Sequence, residues 1–88
     1  MDKITEIQII PIKPQDGLVA FASLVFGKHF YLGSIGIHTR LEGGYRLVYP
    51  TKKVGMRSIN IFHPINKDTA NEIHNAVIKK YQEILSHD

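Results

Sequence analysis

Leu18–Phe26, LVAFASLVF, constrains how the rest of the chain is arranged. Leu18, Ala20, Ala22, Leu24 and Phe26 alternate with Val19, Phe21 and Val25, so a strand with a side-chain period of two is apolar on both of its faces. Turn signals bound it: Gln15-Asp16-Gly17 before, and Gly27-Lys28, a tight hairpin, after. Residues 3–12 read as a preceding strand whose exit is marked by Pro11 and Pro14, and proline's missing amide assigns it to an edge or a strand end. Residues 29–39 read as the next strand, with Gly33 and Gly36 suggesting a bulge or bend. Glu42-Gly43-Gly44 makes a further hairpin turn into a strand over 45–49, and 58–62 is a last short strand.

The C-terminal segment has a different period. Ala70, Ile73, Val77, Tyr81 and Ile84 recur at three- and four-residue spacing, which predicts a helix over 67–85. Asn66 is placed to cap it, and Asp68 in the first turn suits the helix dipole. The expected architecture is α+β: a four- to five-stranded antiparallel sheet with one C-terminal helix packed on it, residues 1–88 forming a single domain. One helix covers one face of such a sheet, yet strand 18–26 is apolar on both. A second copy of the chain would cover the other face, as a homodimer, or the sheet could curl into a small barrel and bury that face on itself.

The 88 residues suffice for one small domain with a limited core, which a partner chain would supplement. The absence of cysteine excludes disulfides, thiolate metal sites and a thiol nucleophile, and makes a reducing cytoplasm the simplest location. The opening MDKITEIQII lacks the basic start and unbroken apolar core of a signal peptide. No run approaches the roughly 18 apolar residues of a membrane span, so no membrane partner is expected.

Net charge is +3, and it is unevenly placed. Residues 1–50 set Lys3, Lys13, Lys28, Arg40 and Arg46 against Asp2, Glu6, Asp16 and Glu42; residues 67–88 set Lys67, Lys79 and Lys80 against Asp68, Glu72, Glu83 and Asp88. Residues 51–66 hold Lys52, Lys53 and Arg57 with no acid at all. An anionic partner responds to such local excess. With Thr51, these side chains combine mobile ammonium groups, a forked guanidinium and a hydroxyl around Gly55, a set suited to gripping phosphates without reading bases. The plainer reading is a merely soluble turn.

Other chemistry is weakly signalled. His29 and His38 are nine residues apart and His63 and His74 eleven, neither being the helical spacing of a zinc pair, so the five histidines read as structural, with His63 before Pro64 placed to fix the corner between strand and helix. Gly33-Ser34-Ile35-Gly36 matches the bare GxxG of an RNA-binding loop, but strands rather than helices flank it. Ser34 and Ser58 carry no nucleophile signature, and no phosphate-binding glycine motif is present. Hence no enzyme, cofactor, metal or small-molecule substrate is expected. Tyr31, Tyr45 and Tyr49, with Arg46 nearby, could stack on bases, although strand aromatics are more often core or cross-strand pairs. Lys79-Lys80 reads as a solvated helix face.

Pro50-Thr51-Lys52-Lys53, then Gly55 and Arg57, then the apolar Ile59 to Phe62 and His63-Pro64-Ile65-Asn66, resemble the stage V sporulation protein G (SpoVG, septation protein) family of bacteria. ITEIQI, the Gly17-to-Ser23 strand and the Ala76-Val77 to Tyr81 helix fall in the same register. The segment after Lys53 differs in length from the family pattern and lacks its usual Pro-Asp-Gly, and the variable, often acidic tail of many members is missing. The resemblance implies a dimeric protein of antiparallel sheet plus C-terminal helix that binds DNA, and in some members RNA, regulates gene expression and is linked to septation and sporulation. It places the nucleic-acid contacts at Lys52 and Lys53, and at Arg57. A protein-interaction module acting on a division or regulatory partner through an edge strand or an apolar sheet face is the alternative.

Overall fold

The computed structural model describes residues 3–86. β1 (Ile4–Gln15), β2 (Leu18–Phe26), β3 (Phe30–Thr39) and β4 (Tyr45–Val48) form one antiparallel sheet in that order. β5 (Thr51–Val54) and β6 (Arg57–Asn60) form a second, two-stranded sheet, and α1 (Lys67–Leu85) follows. The α+β class is as expected, with six strands where five were read: the basic stretch 51–57 is not a bare connection but one leg and the tip of a hairpin.

Local sequence explains the joints. Asp16 and Gly17 both have positive φ (53° and 90°), the type I′ geometry whose twist matches the strands it joins. β1 continues through both prolines to Gln15, beyond the exit read at residue 12. It is the outermost strand, so a missing amide need not break a ladder bond. A bulge near Glu6, which has φ 51°, and a second irregularity between Pro11 and Gln15 further blunt that edge. Asn66 caps α1 by accepting from the Thr69 amide at 2.8 Å.

The core lies between one sheet face and the helix. Ala20, Ala22 and Leu24 of β2 and Ile35 and Ile37 of β3 are buried with Ile73, Val77 and Tyr81 of α1. Tyr81 packs edge-to-face on Tyr45 of β4 with ring centroids 5.3 Å apart. Irregularities decide which residues reach this layer. A register shift between Leu18 and Ala20 moves Leu18 to the opposite face, where it pairs with His38 and crowds Gly36, so it does not join Ala20 as strict alternation suggested. A second shift, opposite Ser34 with φ 60°, is the bulge signalled by Gly33 and Gly36.

That opposite face has no helix over it. Ile10, Phe21 and Tyr31 are 63%, 39% and 72% exposed. The sheet is therefore open and does not curl into a barrel among the described residues. No helix among them is long and apolar enough to cross a membrane.

Two measurements check this core. Leu24→Ala should cost about 2–5 kcal/mol in urea unfolding, because Leu24 is fully buried between sheet and helix. Burial, with the neighbouring Tyr45 adding to it, pushes the Tyr81 hydroxyl above the ordinary phenol value of 10.0. A raised folded-state value leaves stability intact below that pH and removes it as pH rises through the folded value. Thermal melts from pH 8 to 12 should thus fall on the alkaline side, and Tyr81→Phe should flatten that fall.

Candidate nucleic-acid interface

The β5/β6 hairpin is built by its own sequence. Two four-residue strands flank Gly55-Met56, and only the first of these two has positive φ, 64°, the pattern of a type II′ turn. Thr51 pairs with Asn60, Lys52 with Ile59, Lys53 with Ser58 and Val54 with Arg57. Directly opposed residues point to the same face and successive residues alternate. Lys52, Val54, Arg57 and Ile59 consequently share one face, and Thr51, Lys53, Ser58 and Asn60 the other. The structure brings all four candidate residues onto one hairpin, but splits the three cations across its two faces, Lys52 with Arg57 and Lys53 alone.

Every residue from 51 to 60 is exposed. The hairpin makes no extended contact with the main sheet or α1 among the described residues. It is held at its base, where the Ile61 amide donates to the Pro50 carbonyl at 3.1 Å and Tyr49 meets Phe62 edge-to-face at 6.0 Å. The burial that pins this pair also pushes the Tyr49 hydroxyl above the usual phenol range. At the adjoining corner the His63 Nδ1 lies 3.1 Å from the Pro64 carbonyl oxygen, a local hydrogen bond of the kind the His-Pro pair suggested. The radius of gyration, 13.4 Å, exceeds the about 12 Å of a compact chain this long, as a projecting arm requires.

Electrostatically the arm is uncompensated. Among the described residues the one ion pair, Arg40 to Glu42 at 3.7 Å, lies elsewhere, and residues 51–60 contain no acid. The arm is also more apolar than a solvated turn needs to be, with Val54 and Ile59 about half exposed and Met56 fully so. Among the described residues no three His, Asp or Glu side chains converge as metal ligands; His87 lies outside them.

These features define a small α+β protein that presents a cationic two-stranded arm beside a helix-backed sheet. The sequence pattern of the SpoVG family matches residues 1–83, and the chain belongs to that family. A protein of Archaeoglobus fulgidus bearing a SpoVG septation-protein name is 30% identical over 84 residues, covering 94% of this chain and 98% of its own. Similar relatives with the same name occur in Onion yellows phytoplasma, 31% identical over 86 residues with 94% and 84% covered, and in Alkaliphilus metalliredigens, 30% identical over 82 residues with 90% and 81% covered.

The arm's independence from the core is open to test. Gly55→Val forces a branched side chain into positive φ, a strain of about 1–3 kcal/mol. Amide exchange should accelerate across residues 51–60 while the urea midpoint of the whole protein stays put. A parallel drop in global stability would mean that the arm belongs to the core.

Proposed function

We propose that this protein is a non-enzymatic, homodimeric DNA- and RNA-binding regulator of gene expression in the cytoplasm, with a SpoVG-type link to septation and sporulation. Lys52, Lys53 and Arg57 contact phosphates, and Thr51 adds a hydroxyl. The observation that carries this reading is an exposed hairpin with three cations and no acid. Its geometry suits that role, because a two-stranded ribbon fits a major groove about 12 Å wide, and cations on both of its faces can reach both phosphate walls. The names of the relatives support the septation link, and the uncovered apolar sheet face supports pairing of two copies.

Six cations from two subunits would give a slope of roughly −5 in log affinity against log salt on duplex DNA. Fluorescence anisotropy at several salt concentrations should return that steep slope for the wild type and little binding for a Lys52/Lys53/Arg57 triple glutamate variant. Equal binding by the two proteins would end the assignment of these residues. In sedimentation equilibrium, Phe21→Arg should shift the mass from dimer toward monomer.

A second reading is favoured by the exposure of Ile10, Phe21 and Tyr31: the same sheet face, or the free edge of β4, docks a division or regulatory protein. Such a complex would survive salt that strips off nucleic acid, and a salt-washed pull-down with wild type and Phe21→Arg separates the two readings.

A further inference from the structure

β4 is the last strand on its side of the main sheet, and no other strand pairs with its outer edge among the described residues. The ladder decides which of its backbone groups are free. The Thr39 amide donates to the Gly17 carbonyl at 2.9 Å, on the β2 side, while the Arg40 amide donates to the Gly44 carbonyl at 3.0 Å. Backbone groups alternate in direction along an antiparallel strand, so those of Arg46, opposite His38, and Val48, opposite Gly36, turn inward to β3. Those of Tyr45 and Leu47 turn outward. Two N–H donors and two C=O acceptors thus stand along the edge at the spacing an added strand would meet. The other edge of the sheet is protected, because β1 carries Pro11 and Pro14 and two irregularities. β4, Tyr45–Val48, has no proline and no bulge. Its two sides differ. Leu47 pairs with the buried Ile37 and so faces α1, as do Tyr45 and Tyr49; together they form one wall of a cleft of 370 Å³ whose other wall is Ala70, Asn71 and His74 of the helix. Arg46 points to the opposite side with His38, exposed and without a carboxylate partner among the described residues.

We infer that the β4 edge takes an extended segment of another protein in which apolar and acidic residues alternate, added as an antiparallel fifth strand. Its apolar side chains enter the cleft beside Tyr45, Leu47 and Tyr49, and its acidic ones lie on the other side beside the Arg46 guanidinium. Backbone pairing supplies the affinity, and the two unlike sides supply the choice of sequence. The charge that selects an acidic segment also disfavours a second copy of this chain, since pairing two β4 strands about Arg46 sets like charges opposite each other. A nucleic-acid backbone has no amide donors to match the row. The inference rests on the protein-docking reading, which it assigns to the edge rather than to the sheet face, and not on the phosphate contacts of the hairpin. The hairpin makes no extended contact with the main sheet among the described residues, so the edge stays open beside it.

The test uses the whole protein with three fluorescein-labelled peptides: GSVEVEVSG, its lysine counterpart GSVKVKVSG, and GSVEVEVSG methylated on the backbone nitrogens of its valines, which removes the amides that would face β4. In anisotropy the wild type should bind the glutamate peptide at least about fivefold more tightly than either of the others. Arg46→Glu changes an exposed side chain and should reverse the preference in favour of the lysine peptide, a result that a merely damaged fold would not give. Amide exchange at Tyr45 and Leu47 should slow when the glutamate peptide is added, with residues 51–60 unchanged. Equal binding of the three peptides by the wild type overturns the inference, as does protection that develops along β1 or β6 instead of β4. Loss of peptide binding in Phe21→Arg with no effect of Arg46→Glu moves docking to the sheet face, so the edge assignment falls while the docking reading stands. Protection of Tyr45 and Leu47 by a single-stranded oligonucleotide, with none by the peptides, overturns the assignment to a protein partner. If no peptide binds, the edge assignment is lost, and the docking reading goes with it only if the salt-washed pull-down is also empty.

Discussion

The structure depends on one layer of contact: α1 lying across β2 and β3, with Ile73, Val77 and Tyr81 against Ala20, Ala22, Leu24, Ile35 and Ile37. So small a domain buries a modest share of its surface, and this layer supplies most of its apolar burial. Because the helix has a single apolar stripe, it also fixes what stays uncovered. One sheet face, the free edge of β4 and the arm that follows it are left to solvent or to partners, and every functional reading of the molecule draws on those three surfaces.

The arm and the body divide the labour. The body is held by packing and by two tyrosine pairs that lock β4, the segment after it and the helix into one unit. The arm is held by its backbone ladder and the closure between Pro50 and Ile61. A two-stranded hairpin of this kind is marginal by itself in water, so contact with a polyanion or a second subunit would be expected to order it further.

Much of the fold was legible because periodicity and turn chemistry agreed. The Asp16-Gly17 turn, the two-faced apolar strand 18–26 and the three-to-four spacing of Ala70, Ile73, Val77 and Tyr81 each specify their element locally. What strict alternation could not deliver was the effect of bulges: a single shift moved Leu18 across the sheet, and an edge location allowed β1 to pass two prolines. The basic segment concealed its own structure. Thr51–Val54 has a single apolar residue, so it carries no amphipathic rhythm and went unread, whereas the strand read over 58–62 overlaps Arg57–Asn60; Gly55 between two equal runs was the remaining hint that the two pair as a hairpin.

The tight two-residue turn gives the arm a simple rule of growth. One residue added to each leg would lengthen it by about 3.4 Å, close to the rise of a single base pair, while turning the tip side chains over to the opposite surface. Two residues per leg would restore their aspect and advance the tip by two such steps. Variation in this segment is thus quantised, odd changes exchanging which side carries Arg57 and even changes altering only how far it reaches, with the helix-backed sheet left untouched.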